Sequence, residues 1–255
     1  MRKTAPPAGT QAFNTEDSLS LLDLRFKAHP WHGINIGSEA PDIVTAFIEI
    51  VPTDTVKYEV DKSTGYLCVD RPQKYSNVVP ALYGFLPQTY CGKKVAELSN
   101  QRMYRDDIVG DEDPLDICVL TEKDISHGDI IMKVRPIGGL RLLDGGEADD
   151  KLIAVLDNDS VYGQFNDIQE LPFMVLERIR HYFTTYKDIP GNAERRCILA
   201  ATYGVEEAKD VVRRAMIDYK ELLDQKSKAA VAMNANGADA KAAAANAVKR
   251  KANIN

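Results

Sequence analysis

The sequence has no run of 18 consecutive apolar residues, so nothing in it would span a bilayer as a helix. Its start, "MRKTAPPAGTQAF", carries a little positive charge but no apolar segment behind it. A secretory signal is therefore not expected, while an organellar transit segment stays open. Cysteine is sparse: Cys68, Cys91, Cys118 and Cys197 stand far apart, with no CxxC pair and no histidines at zinc-ligand spacing. Reduced thiols in a soluble, cytoplasmic protein are the expectation. A basic excess is also missing, since 32 Lys and Arg face 38 Asp and Glu for a formal charge of −6. That balance argues against a surface that grips nucleic acid by its phosphates. Aromatics reach only 7%, and no internal repeat is evident.

What is present is enough apolar content, 44% of 255 residues, for one substantial core. Residues 1–40 are rich in Pro, Gly and polar side chains and read as an N-terminal extension, in which "LSLLDLRF" could form a short helix packed on the domain. From Ile43 onward come short β-type runs: "IVTAFIEIV", "VKYEV", "YLCVDR", "LDICVL", "DIIMKVRPI" and "KLIAVL", separated by turn signals. Such a series predicts a small barrel or sandwich. After Asp167 the period turns helical. Phe173, Leu176, Ile179 and Phe183 mark one helix behind Pro172, and Ala208, Val211, Val212, Ala215, Met216, Tyr219 and Leu222 mark a second over Val205 to Leu223. Between Cys91 and Asp107 the sequence reads as a long surface loop. The organisation expected is thus an extension at 1–40, one globular domain at 41–225, and an Ala/Lys/Asn-rich tail at 226–255, either frayed helix or disordered.

The stretch "VGDEDPLDICVL" crowds Asp111, Glu112, Asp113 and Asp116 against an apolar run. Two unit charges about 4 Å apart cost roughly 4 kcal/mol at an effective dielectric of 20, so three close pairs would cost on the order of 12 kcal/mol. The carboxylates are then protonated, splayed apart, or filled with cations. All-oxygen donors at this spacing suit Mg²⁺, Mn²⁺ or Ca²⁺ and not zinc. An EF-hand does not fit, because Leu115 and Asp116 stand where an oxygen ligand and a glycine are required. A solvated acidic turn remains the plain alternative. Lys57 and Glu59 sit two apart on one predicted strand and so share a face, while Glu49, Arg71, Asp144, Asp149, Lys151, Tyr186 and Lys187 lie in neighbouring runs. Spacing alone does not make them converge.

Taken together, these segments resemble the soluble family I inorganic pyrophosphatases. "DEDPLDI" at Asp111 to Ile117 meets the family signature, and "FIEI", "VKYEVDKSTGYLCVDR", "LYGF", "GEADDKLIAV" and "HYFTTYKD" follow in family order across about Ile43 to Leu223. The resemblance implies an α+β fold with a mainly β core, a five-stranded OB-like closed β-barrel flanked by two main helices. It also implies Mg²⁺-dependent hydrolysis of inorganic diphosphate to two orthophosphates by a metal-bound hydroxide, with no covalent intermediate. Several Mg²⁺ ions per site are implied, Mn²⁺ being a possible substitute, in a homo-oligomer. By the same resemblance Asp111, Asp116, Asp144 and Asp149 match holders of the activating metals, with Asp116 shared between two. Glu49 and Glu59 match residues that hold ions arriving with substrate. Asp113 matches the group that orients and deprotonates water, and Lys57, Arg71, Tyr83, Lys151, Tyr186 and Lys187 match donors to the phosphates. Glu112 takes the variable position and is expected to face solvent.

Two departures stand out. Val79 in "VVPALYGF" occupies a position that is usually tyrosine, with Tyr75 four residues upstream, and Gly145 follows Asp144 where an acidic residue is often found. Neither removes an expected metal ligand, so altered affinity and retained activity are predicted. The competing reading, an OB-barrel module for single-stranded nucleic acid, needs a basic groove with stacking rings, and here the candidate groove is acidic. A catalytically idle scaffold would not need the full carboxylate set.

Overall fold

Strand β1 (Val44–Ile50) is buried at every position, and its neighbours close around it in a computed structural model that describes residues 27–188 and 196–252, with side chains through residue 229. Beyond it lie β2 (Val56–Val60), β3 (Leu67–Pro72), β4 (Leu82–Phe85), α1 (Lys93–Met103), β5 (Val109–Gly110), β6 (Asp116–Leu120) and β7 (Ile130–Asp144). The chain continues through β8 (Glu147–Ala148), β9 (Lys151–Leu156), α2 (Phe173–Thr185), β10 (Cys197–Gly204) and α3 (Val205–Ala252). The "LSLLDLRF" segment lies outside the described residues. Among the described residues, no helix is long and apolar enough to cross a membrane.

Eight strands form one mixed sheet, and β2–β3 form a separate two-stranded sheet. In the large sheet β1 pairs with β4, β4 with β6, β6 with β9 in parallel, and β9 with β7, which pairs back onto β1. The 15-residue β7 serves this many partners because it shifts register between Pro136 and Gly138, then carries β10 along its second half. Glycine is required there: a Cβ on Gly139 would lie 2.4 Å from the Tyr203 hydroxyl oxygen.

Two helices cover the sheet as their periodicity predicts. Ala208, Val211, Val212 and Ala215 of α3 pack on Val44, Ala46, Ile48 and Ile117, while Ile179 and Phe183 of α2 pack on Cys118, Ile137 and Ile153. The backbone of α3 stays helical to Ala252.

The number of helices corrects the expectation of two. The segment read as a surface loop contains α1, which buries Val95, Ala96, Leu98 and Ser99. Its start signal is not local: Gly92 stands at the N-cap, with no side-chain cap and no acidic residue in the first turn. The cap comes instead from α3, where Asp218 accepts from the backbone N–H groups of Gly92 (3.0 Å), Lys94 (2.9 Å) and Val95 (3.1 Å). Asp218→Ala strands these donors in a buried setting, and we expect a loss of about 1–3 kcal/mol in urea unfolding. An unchanged midpoint would show that water replaces the carboxylate. Strand β10 carries no clear strand signal in the sequence, because only Cys197 and Tyr203 of "CILAATYG" are buried and a register shift between Leu199 and Ala201 breaks any alternation.

Candidate active site

Hydrogen bonds to Cys91 and Thr89 hold the signature turn in place. The Cys91 N–H donates to the Asp113 carbonyl (2.8 Å), the Glu112 N–H to the Cys91 carbonyl (3.2 Å), and the Leu115 N–H to Thr89 Oγ1 (2.9 Å). Gly110 makes this approach possible, since a Cβ there would lie 2.1 Å from the Cys91 oxygen. The Asp113 N–H donates to Asp111 Oδ1 (3.0 Å), and Glu112 takes a left-handed φ of 63° that turns it outward. Glu112 is exposed and lines no part of the central cavity, as expected. Buried Leu115 and the buried run Ile117–Leu120 anchor the turn.

Around it the sheet assembles the remaining groups. Register places Lys151 beside Asp116 on parallel β6–β9, and Lys57 across from Arg71 on β2–β3. Glu49 comes from β1, Tyr83 from β4 and Asp144 from the end of β7, while Tyr186 and Lys187 follow α2. All thirteen residues singled out in the sequence line one cavity of about 220 Å³.

Within the cavity, charges are paired in four groups, one of them Lys62 with Asp113. Lys151 bridges Asp116 and Asp149, and Asp116 also accepts from the Tyr83 hydroxyl at 2.6 Å. Lys187 pairs with Asp144, which also meets Arg196 Nε at 3.0 Å. Lys57 pairs with Glu59 (2.9 Å) and with Asp70 (3.0 Å), and Asp70 also holds Arg71. Glu49 accepts the Val60 N–H at 2.7 Å.

Burial dominates the electrostatics. It pushes Glu49 up to about 8 against the favourable Val60 bond, and it pushes Asp111 up to about 8, with Asp149 adding to the rise. Burial also raises Asp116, though Lys151 opposes it. The Lys151 ammonium goes the other way, because Asp116 and Asp149 overcome the burial that would lower it. At Asp144 burial is likewise outweighed, here by Lys187 and Arg196, and the carboxyl falls below its ordinary value.

The lining carries eight carboxylates and five cationic side chains, and neither histidine nor cysteine is among them. An oxygen-only donor set with surplus negative charge fits hard divalent cations. Among the described residues, no three acidic or thiol/imidazole groups stand close enough to hold an ion as placed. Lys151 stands between Asp116 and Asp149, and Lys187 lies against Asp144.

Reasoning from the sequence missed Lys62 and Glu147, both on the cavity wall, and the apolar side formed by Trp31, Val60 and Phe85. Lys62 sits past the end of β2 in "DKSTG", where strand alternation no longer predicts a direction, yet it pairs with Asp113. Glu147 was legible: Gly145 and Gly146 at φ 63° and 101° make a two-residue turn that sets Glu147 across from Asp144. Val79 is fully buried, and Tyr75, 66% exposed, lines no part of the cavity, so it does not replace the missing hydroxyl.

Comparison with known proteins points to one family. A family model described as "Inorganic pyrophosphatase" matches residues 46–220. An inorganic pyrophosphatase of Chlamydia muridarum is 52% identical over 198 residues, covering 76% of this chain and 95% of the relative. Among solved structures, an inorganic pyrophosphatase from Thermus thermophilus aligns with a TM-score of 0.63 at 27% identity, over 76% of this chain and 99% of that one. One from Helicobacter pylori aligns at 0.60 and 30% identity, over 73% and 98%. With most of its length inside the family model and about half of its aligned residues identical to a chlamydial member, the chain belongs to the soluble family I inorganic pyrophosphatases.

Proposed function

We propose that this cavity hydrolyses inorganic diphosphate to two orthophosphates with Mg²⁺, by direct attack of water and without a covalent enzyme intermediate. Membership of the family supports the reaction. The observation that carries the finer reading is the gathering of surplus carboxylates and phosphate-binding cations in one small cavity. Divalent cations bound there would neutralise the substrate and acidify water. Asp111, Asp116, Asp144 and Asp149 would hold the activating ions, Asp116 being shared, and Glu49 and Glu59 those that arrive with substrate. Mn²⁺ offers the same coordination chemistry.

Asp113 orients the attacking water and takes its proton. Lys57, Arg71, Tyr83, Lys151, Tyr186 and Lys187 donate to the phosphate oxygens, Arg71 with a fork suited to two of them. Positioning and charge neutralisation dominate phosphoryl transfer, so no protein nucleophile is needed. Within this reading the five-strand circuit is an OB-like barrel, residues 41–225 form the catalytic domain, and the protein is a cytoplasmic homo-oligomer. Eight carboxylates on the wall would repel a polyanion, which leaves no support for a nucleic-acid module.

Orthophosphate release from diphosphate with and without Mg²⁺ tests the reaction, and no release with either Mg²⁺ or Mn²⁺ would sink it. The cation site has a separate test. Glu49 and Asp111, held up at about 8, are largely protonated at pH 7 in the metal-free protein. Mg²⁺ favours their ionised forms, so its addition at pH 7 should release on the order of one to two protons per chain, read by pH-stat. Because both values lie above the ordinary 4.5 and 3.8, these groups favour the folded state below those values. That contribution is lost as pH rises through about 8. Mg²⁺ should therefore raise the melting temperature more at pH 8 than at pH 5. A titration indifferent to Mg²⁺ would remove the ions from these residues.

A further inference from the structure

The β2–β3 hairpin carries Lys57, Glu59, Lys62 and Arg71 into the cavity, yet it shares no strand pairing with the eight-stranded sheet. Its attachments are few. Of β2 and β3 only Val60 is fully buried, and one backbone anchor reaches the sheet, the Val60 N–H to Glu49. Tyr58 packs on the cluster under α2 and Lys62 pairs with Asp113, and further support comes from the segment "HPWH" at residues 29–32. Val60 packs in a cluster with Trp31, Phe47, Phe85 and Tyr219. At the hairpin tip, a Cβ on Gly65 would lie 2.9 Å from His29 Cδ2 and 3.0 Å from Pro30 Cδ, so strap and tip are in close contact.

The strap itself is fixed to the body of the protein. Trp31 Nε1 donates to the Thr89 carbonyl at 2.7 Å, and the Gln88 N–H donates to the Trp31 carbonyl at 2.9 Å. The indole lies 4.5 Å from the His32 ring, and His32 Nδ1 meets the Tyr219 hydroxyl of α3 at 2.9 Å. His29 Nδ1 accepts from the backbone N–H groups of Trp31 (3.2 Å) and His32 (3.3 Å), which sets the shape of the turn. One face of Trp31 is left to line the cavity.

We propose that Trp31 and His29 are positioning residues that hold the β2–β3 hairpin against the main sheet, so that Lys57 and Arg71 stand at the distance the diphosphate requires. The inference rests on the diphosphatase reading. Lys57 and Arg71 grip the substrate in the ground state as well as the transition state, so a loosened hairpin weakens binding more than it slows chemistry. Lys151 lies on β9 of the main sheet, and the water-activating Asp113 sits in the signature turn between β5 and β6, held there by its own backbone bonds and meeting the hairpin through the exposed Lys62, so both keep their places.

The test is steady-state hydrolysis of Mg²⁺-diphosphate and amide hydrogen exchange on the full chain, comparing Trp31→Ala, Trp31→Phe and His29→Ala with wild type. Trp31→Ala is expected to raise KM about tenfold while kcat falls less than about threefold, and Trp31→Phe to restore most of the affinity. Exchange at residues 56–72 should quicken in Trp31→Ala with β6 and β9 unchanged. If Trp31→Ala does not fold, His29→Ala carries the test through the same KM rise and the same local exchange. An unchanged KM in a folded variant, or exchange that quickens equally throughout, would overturn the assignment and leave Trp31 an ordinary core residue. Failure of wild type to release orthophosphate would instead strike the diphosphatase reading, and the exchange result would still decide whether the strap holds the hairpin.

Discussion

Asp113→Asn is expected to lower diphosphate turnover by about 10²–10⁴, the range that a positioned general base contributes. The substitution is clean because the turn does not depend on the carboxylate. Its hydrogen bonds use the Asp113 carbonyl, which accepts from Cys91, and the Asp113 N–H, which donates to Asp111. Asparagine keeps the shape and both backbone bonds while losing the basic oxygen. The partner Lys62 is 58% exposed and the Asp113 side chain 43%, so losing this pair should cost no more than about 1 kcal/mol of stability. Turnover measured at saturating Mg²⁺, beside a melting curve, separates the two effects. Near-wild-type turnover in the folded variant would remove Asp113 from its role.

Asp150→Ala should produce the largest loss of stability, about 3–5 kcal/mol in denaturant unfolding. Asp150 stands between Asp149 and Lys151 but points into the core, where it accepts from the Tyr203 hydroxyl (3.0 Å) and meets Arg141 Nη2 at 3.4 Å. Arg141 is 1% exposed, lies 5.1 Å from the Tyr203 ring, and reaches Glu207 at 2.8 Å. Burial pushes Asp150 up to about 6 even with Arg141 beside it, so desolvation outweighs the attraction. The intact pair is therefore no strong stabiliser, yet half of it is costly, since Arg141 would keep only Glu207. Asp150→Leu combined with Arg141→Met should recover most of the loss, and a double variant as unstable as Asp150→Ala would contradict this account.

Much of the architecture was readable because it depends on local pattern. Short β-type runs between turn signals located β1, β2, β3, β6, β9 and the first part of β7, and a period near 3.6 located α2 and the buried stripe of α3. What escaped had its cause elsewhere in the chain. Helix α1 is capped by a residue 124 positions away from Lys94, so no capping signal exists beside it. Strand β10 is half exposed and is defined by its register on β7. Lys62 lies beyond a strand end, where direction depends on how the turn folds.

The sequence by itself determined the identity and order of the chemical groups. An acidic signature backed by apolar anchors, Lys57 and Glu59 on one strand face, and the two helices were all set by side-chain type and spacing. Only the tertiary structure decided which carboxylates meet. Parallel pairing of β6 with β9 puts Lys151 between Asp116 and Asp149, while the adjacent Asp150 turns away to Arg141. The reason is physical: alternation along a strand sends neighbours to opposite faces, but which face is cavity and which is core depends on strands brought together from distant parts of the chain.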